Sequence, residues 1–576
     1  MFVGISAYNH ESAVSLVNSK GELIDYCKEE YISRIKGDKT FPKKSFEKIL
    51  ENNNLRIEDI ENIIFYERPL SAFLYPLKTA AINMPESIPL LTNQFRNFKK
   101  SSLTCFLDLS KIFPGSEKKL VYLDHHLSHT LTSLIYSEIR TGVCSIVIDG
   151  FGDRSSSSIH HVIDPYNIKE LWNVEYPISI GLFYSAITDF LGFAINEGEY
   201  KVMGLSAFGR SKNKYYKLLS KIIYWDKKRK CIKAKMEYFK YHISVSDSYS
   251  ELLVSLLGNP RNPFKKLFPD DPQFQRYADI ARAAQDVTED ILKEIFLYGH
   301  NLTGARIFTF SGGVAMNSAS LKNLAELPFI DKLIVPPSPG DAGAAIGAGY
   351  YGYLRSNSLS GEIKKPSLFP CKHNFKKQIN ISSKIINNDF NIIAKDPDEA
   401  LNICAKLISQ GNIIGTIIGS SETGPRALGH RSLICDGKNF DAVKVLNTVI
   451  KNRSPFRPTA PSMKIDTAKK YYKLNPALIE SYMSMSATCE CLDNSEALKF
   501  PVTHVDGTAR LQLLEEGSFL YLLLSKLVKY NVEILANSSL NISGDPTCYD
   551  FIDGLMVCSN SPLKFLITEI GLLEKK

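Results

Sequence analysis

No apolar run in the 576 residues approaches the ~20 needed to span a bilayer. The opening MFVGISAYNH lacks the basic and apolar regions of a secretory leader. No CxxC pair occurs among the eleven cysteines, and the one close pair, Cys489 and Cys491, has no second pair at zinc-ligand spacing. Unpatterned thiols in this number fit a reducing compartment, so a cytoplasmic protein with no membrane partner is expected. Charge of one sign is also scarce. Lys+Arg 69 against Asp+Glu 61 leaves only +8, and basic residues cluster only in short groups such as Lys227-Lys228-Arg229-Lys230 and Lys575-Lys576. That pattern argues against a nucleic-acid-binding face. Nor is there a repeat with a period of 20–50 residues. What remains, 44% hydrophobic and 23% charged residues, is ordinary soluble globular composition and excludes collagen-like, mucin-like and disordered chains.

The apolar runs that do occur are short and punctuated. Phe2–Ile5 and Ala13–Val17 flank a polar tip, Asn9-His10-Glu11, and Lys20-Gly21 closes a second hairpin. Three more units follow: VCSIVIDGFGDRSSSSIHHVI reads as strand, turn, strand; ARIFTFSGGVAMNSASLKNL and DKLIVPPSPGDAGAAIGAGYYGYL read as strand, loop, helix. Between them Ile280, Ala284, Val287, Ile291 and Ile295 share one face of a helix over Tyr277–Leu297. A second αβ unit has a helix at Pro397–Gln410, a strand at Ile413–Ile418 and another at Glu533–Ala536. These features predict an α/β protein with a large domain over 1–360, a weakly periodic linker over 361–395 and a smaller domain over 396–576.

Chemistry concentrates in the turns. In Asp124-His125-His126-Leu127-Ser128-His129, His125 and His129 lie four apart, on one face of a helix, with His126 pointing elsewhere. Such a pair is as often structural as metal-binding and needs a third ligand. Asp341, in the stiff loop Pro336-Pro337-Ser338-Pro339-Gly340-Asp341, is a candidate, with helix capping as the alternative. Two imidazoles and a carboxylate suit Fe(II) and other divalent ions. The turns Asp149-Gly150-Phe151-Gly152-Asp153 and Ser311-Gly312-Gly313-Val314-Ala315-Met316-Asn317 offer a carboxylate and bare backbone N–H groups to a nucleotide, or are plain turns. Recurring units tipped with Asp or Gly fit the actin-like architecture of sugar kinases and chaperone ATPases. In the C-terminal part, the Arg426, Lys451 and Arg457, Arg510, and Ser538-to-Asn541 segments sit among Gly, Pro and hydroxyl residues, as converging phosphate clamps or as scattered surface arginines.

The motifs GISAYNHESA, EEYISRIKGDKTFP, DHHLSH, VIDGFGD, EGEYKVMGLSAFG, SGGVAMN, PPSPGDAG, ETGPRALGHRS, KNRSPFRPTAPS, HVDGTARLQ and NSSLNISGDP, in this order, resemble the O-carbamoyltransferase family of the NodU and TobZ type along nearly the whole chain. The resemblance implies an actin-like N-terminal domain related to tRNA threonylcarbamoyl transferase and a YrdC-like C-terminal domain. It implies that carbamoyl phosphate and ATP, with Mg, are combined into carbamoyl adenylate in the C-terminal domain. The carbamoyl group then passes to a hydroxyl of a small-molecule acceptor, a natural product or sugar, in the N-terminal domain. By resemblance His125, His129 and Asp341 hold the metal, with Fe(II) favoured. Lys36, Asp149, Gly150, Gly312, Gly313 and Asn317 hold the adenylate, and His10 stands beside the acceptor as a base or a positioning group. Arg426, Lys451, Arg457, His504, Arg510, Ser538 and Asn541 bind carbamoyl phosphate and ATP. A homodimer is compatible with this reading. Glu11, Ser420 and Thr459 depart from the usual Asp, Arg and Phe. The competing readings are a sugar-kinase-like phosphotransferase, which leaves the basic C-terminal segments without a role, a tRNA threonylcarbamoyl transferase, which needs a stronger RNA-binding face, and a non-catalytic nucleotide-gated binding module, which needs no metal site.

Overall fold

The computed structural model describes residues 1–97, 101–356, 363–454 and 456–576. Two five-stranded sheets form the N-terminal part, and they share one topology. In the first, the strands run Leu23–Lys28, Ala13–Val17, Phe2–Ser6, Asn62–Phe65, Leu120–Tyr122 across the sheet. In the second, the corresponding order is Asn167–Glu175, Ser155–Asp164, Val143–Gly152, Ile307–Ser311, Lys332–Ile334. In both, the first three strands in sequence form an antiparallel meander, and the next two add in parallel beside the first. This duplicated order is the actin-like arrangement. It escapes a search for sequence repeats because each half exceeds a hundred residues.

In each half a helix follows the last strand: His125–Ile135 after the first sheet and Asp341–Ser356 after the second. The two pack face to face at the centre of the domain, where Thr132 Oγ1 donates to Gly343 O at 3.0 Å. Ser15 Oγ, from the first sheet, donates to Ala345 O at 2.7 Å. Small residues along Asp341–Ser356 permit this approach, and most of that helix is buried. The N-termini of both helices therefore meet at one place, beside the tips of the strands Phe2–Ser6 and Val143–Gly152. The expected helix over Tyr277–Leu297 is present and longer, Phe274–Thr303, with the predicted apolar face buried.

The C-terminal part is an eight-stranded mixed sheet in the order Phe390–Ala394, Gly571–Lys575, Phe565–Thr568, Ile414–Ile417, Arg431–Asp436, Leu535–Ser539, Ala460–Met463, Gln512–Leu513. Its helix Pro397–Ser409 lies where the sequence places it. The expected linker over 361–395 is corrected. Residues 357–362 lie outside the described set, but the helix Phe375–Asp389 and the edge strand Phe390–Ala394 belong to the C-terminal unit. Phe375 packs on Phe551 with ring centroids 5.1 Å apart, and Gln378 Nε2 donates to Asp550 Oδ2 at 2.8 Å. Serine, asparagine and lysine dilute the apolar period of that helix. Among the described residues no helix is long and apolar enough to cross a membrane.

Candidate functional site

Asp124 caps the helix His125–Ile135 by accepting from Leu127 N at 3.1 Å, and Asp153 Oδ2 accepts from His125 N at 3.0 Å. These bonds fix the first turn, so both imidazoles project from one face into the seam between the two sheets. A Cβ on Gly152 would lie 1.9 Å from His125 Cδ2, so only glycine leaves room for that ring. His126 turns away, as expected, and meets Ser158 Oγ at 2.7 Å.

Asp341 comes to the imidazoles from the other helix, with Oδ1 3.8 Å from His125 Nε2 and 3.5 Å from His129 Nε2. Asp149, expected on the nucleotide side, stands with them. Its Oδ2 is 3.5 and 3.3 Å from the same two nitrogens, which are themselves 3.2 Å apart. Tetrahedral ligands ~2.05 Å from a metal lie about 3.3 Å from one another, so these separations fit the edges of a coordination shell. The carboxylates make no ion pair with lysine or arginine among the described residues, and the buried Asp149 Oδ2 has no hydrogen-bond donor. Burial pulls the His125 pKa down, but Asp149, Asp341 and Asp153 outweigh it and hold it at about 10. His129 is raised in the same way. Without a cation, the imidazoles supply the positive charge that the carboxylates require. The donor set therefore suits a divalent ion.

The Gly-rich turn abuts this set. Gly312, at φ +86°, donates its N–H to Pro339 O at 2.8 Å, and a Cβ on Gly313 would come within 3.0 Å of Asp149 Oδ1. Gly150 N donates to that same Oδ1 at 2.6 Å. Asn317 exchanges hydrogen bonds with the buried Gln285 at 2.9 and 3.1 Å, a partner that the sequence reading missed. His10 lies near the cluster on the hairpin tip. Burial lowers its pKa, but Glu11, Asp341, Asp149 and Glu199 outweigh that and raise it. Two neighbours were also missed. Tyr66 donates to Asp341 Oδ2 at 3.4 Å and packs on His125, and the fully buried Glu67 accepts from Asn9 Nδ2 at 2.6 Å. Burial raises Glu67 to about 7. Glu11, the departure from Asp, pairs with Lys28 at 3.3 Å.

A second cluster of opposite sign forms in the C-terminal domain. Arg426, Arg457 and Arg510 converge, joined by Arg453, which the sequence reading left out of its site set. None forms an ion pair among the described residues. These side chains keep partial solvent contact while protein surrounds them, as on the walls of a cleft. Desolvation followed by mutual repulsion lowers Arg426 to about 10 and Arg453 to about 9. Lys451 is buried and donates to Ser539 O at 2.8 Å and Asn541 O at 2.7 Å, as well as to Asn541 Oδ1. Arg453 Nη2 donates to Ser538 Oγ at 2.6 Å, and His504 Nε2 lies 3.2 Å from Phe456 O. Glu422 orders the Arg426 loop, accepting at Oε1 from the backbone N–H groups of Leu428, His430 and Arg431.

The two clusters face a common boundary. The Tyr200 ring, from the N-terminal domain, lies 4.3 Å beneath the Arg457 guanidinium. Its neighbour Glu199 is among the carboxylates felt by His10. Arg426 Nη2 reaches Met316 O, next to Asn317, at 3.5 Å. Lys36 is exposed and lies within electrostatic range of Glu11 on one side and Lys451 on the other. Two loops seal the edge. Gly424 sits so close to the Pro336–Asp341 loop that a Cβ would lie 1.9 Å from Pro337 O. Arg34 donates to Pro546 O, Thr547 O and Asp553 Oδ2 at 3.0–3.1 Å.

Comparison with known proteins agrees along the whole chain. The carbamoyltransferase N-terminus family model matches residues 1–350, and the carbamoyltransferase C-terminus model matches 405–575. An uncharacterized protein of Synechocystis sp. is 28% identical, covering 100% of this chain and 96% of its own length. Nodulation protein NolNO of Sinorhizobium fredii is 26% identical over 99% of this chain and 80% of that protein. Nodulation protein U of Sinorhizobium fredii is 28% identical over 43% and 42%. Among solved structures, the 2-hydroxyisocaproyl-CoA dehydratase activator of Clostridium difficile is 13% identical, covers 62% of this chain and 96% of its own, and has a TM-score of 0.32. HypF of T. kodakarensis is 14% identical, covers 62% and 47%, and scores 0.33. The fold assignment rests on strand order rather than on these scores. The chain belongs to the carbamoyltransferase family and is a carbamoyltransferase.

Proposed function

We propose that this chain is an ATP-dependent O-carbamoyltransferase working through carbamoyl adenylate. In the C-terminal cleft one water molecule displaces phosphate from carbamoyl phosphate, and an oxygen of the resulting carbamate attacks the α-phosphorus of ATP, forming carbamoyl adenylate and releasing pyrophosphate. In the N-terminal domain a hydroxyl of a small-molecule acceptor attacks the carbamoyl carbon, AMP leaves, and a carbamate ester forms. The observation that carries this reading is the pairing, across one domain boundary, of a buried imidazole–carboxylate donor set with an arginine cluster that has no carboxylate partner among the described residues. Among the described residues the arginines and Lys451 have no carboxylate in ion-pair contact, and they suit phosphate oxygens, which guanidinium forks bind in pairs.

His125, His129, Asp149 and Asp341 would hold a divalent ion, with Fe(II) favoured by two imidazoles beside carboxylates. Such an ion supplies Lewis-acid polarisation of a carbonyl or phosphoryl oxygen. His10, on the hairpin tip near the carboxylates, takes the proton of the acceptor hydroxyl in its neutral form. The Gly312-Gly313 turn and Asn317 bind the nucleotide part of the adenylate against Asp149. Tyr200 closes the arginine cluster from the N-terminal side. Arg34 and the loop at Gly424 hold the domains shut, and excluding water preserves a mixed anhydride that hydrolyses readily.

The test is incubation of the full chain with carbamoyl phosphate, ATP and a panel of hydroxylated metabolites. Pyrophosphate release that requires carbamoyl phosphate, with an acceptor gaining one carbamoyl unit, is expected. Transfer of the ATP γ-phosphate to an acceptor without carbamoyl phosphate would overturn the proposal in favour of a kinase.

A further inference from the structure

Beside the arginine cluster lies a cavity of 710 Å³, inside the range of small-molecule sites, that the chemistry above leaves unused. Phe193, Lys201, Phe264, Lys265 and Lys266 line it from the N-terminal domain, and Ser454, next to Arg453, lines it from the C-terminal domain. The cavity thus adjoins the cleft, and the Phe193 ring lies tilted against Phe456 with centroids 6.3 Å apart. Its charge is one-sided. Among the described residues Asp189 is the one carboxylate in the lining, and Ser248 Oγ already donates to it.

The loop that carries Phe264 is rigidly held. Arg261 is 7% exposed and has no carboxylate partner among the described residues. Its guanidinium instead donates to the carbonyls of Leu191, Gly192, Asn262 and Lys265, and it stacks on Phe193 at 4.6 Å. Lys266 Nζ is fixed across the boundary to Asn452 Oδ1 at 3.1 Å. On this braced loop Phe264 is 95% exposed. A phenyl ring displayed to water on a pinned loop, between two lysines and a cavity, offers a stacking face beside phosphate-binding charges.

We propose that this cavity is a docking site for a nucleoside triphosphate entering the arginine cleft, with its base on Phe264 and its phosphates on Lys201, Lys265 and Lys266. The proposal rests on the reading that the cleft consumes ATP. Carbamoyl phosphate has no ring to engage Phe264, so the aromatic contact selects the nucleotide. Electrostatic capture of this kind acts on association more than on dissociation.

The experiment is stopped-flow association of a fluorescent ATP analogue with the full chain. In K265E/K266E the association rate should fall about tenfold, as expected for reversing two charges beside the entry path. In F264A it should fall about fivefold, in keeping with the loss of one base–aromatic stack. Inorganic triphosphate should compete equally well against wild type and F264A. Phe264, Lys265 and Lys266 are all exposed, so the core is spared. Rates within about twofold of wild type in K265E/K266E, or no nucleotide association in the wild type, overturn the docking site. An effect of the lysines alone, with F264A unchanged, overturns the nucleotide assignment. Lysine- and Phe264-dependent association in a chain that releases no pyrophosphate supports the docking site and sinks the adenylate reading alone.

Discussion

Among the described residues, two carboxylates and two imidazoles of the N-terminal domain crowd together without a lysine or arginine in ion-pair contact, whereas four arginines and a lysine of the C-terminal domain crowd together without a carboxylate in ion-pair contact. The arginine cluster costs folding free energy, because like charges brought together under partial burial repel, and the donor set keeps two carboxylates together only while its imidazoles hold their protons or a cation takes their place. A chain that keeps both has a use for both. The first set attracts a cation, the second an anion, and neither is balanced by the other even though they share a boundary. Opposite charge in direct contact would have neutralised both sites. Instead Tyr200 meets Arg457 at the boundary, and His10 feels the carboxylates Asp149 and Asp341.

This contrast can be broken from either side. The largest effect is expected for Asp149→Asn, which removes an anionic donor from the N-terminal set. Transfer from supplied carbamoyl adenylate should fall at least about a hundredfold and metal content by elemental analysis should drop, while pyrophosphate release persists. Unchanged metal content and transfer would separate Asp149 from the metal. Arg453→Ala should do the reverse, cutting carbamoyl-phosphate-dependent pyrophosphate release on the order of a hundredfold and sparing transfer from supplied adenylate. Equal loss in both assays would mean that the two sites act as one.

Smaller effects sharpen the comparison at the boundary. Gly424→Ala forces a Cβ against Pro337 O and should lower stability by roughly 1–3 kcal/mol, read as a lower Tm. A neutral result would show that the loop contact is slack. His373 titrates outside both clusters. Burial, with Arg431 nearby, lowers its pKa to about 3, and its Nδ1 lies 3.3 Å from Arg431 Nη2. The unfolded chain binds this proton near pH 6.5 and the folded chain only near 3. Its contribution is therefore complete above pH 6.5 and is lost as pH falls towards 3. Denaturant titrations of His373→Gln across that window should show a shallower loss of stability, by up to one bound proton.

Local signals were legible in the sequence, and distant pairings were not. His125 and His129 declare themselves through helical spacing, and the Pro/Gly loop marks Asp341. Asp149 is harder to place, because a carboxylate at a strand end serves a nucleotide as readily as a metal. Only sheet packing brings its Oδ2 to the imidazoles. Arg453 lies in the same motif as Lys451 and Arg457, and nothing in one dimension tells which basic side chain turns inward. Glu67 and Gln285 sit in otherwise unremarkable strand-end and helical contexts, and their roles come from partners 58 and 32 residues away. The duplicated strand order was hidden for a different reason. Topology repeats through the pattern of buried strands, while the side chains at the tips have diverged into separate duties.

Arg34 joins residues 519 apart in the chain when it grips Asp553. The loop that carries Lys36 therefore waits for its anchor until residues more than five hundred positions further on have been made. Until then neither cleft has its final wall. Loss of that grip alone would leave the seam ajar, so a chain with Arg34 replaced by alanine should leak whatever intermediate it makes.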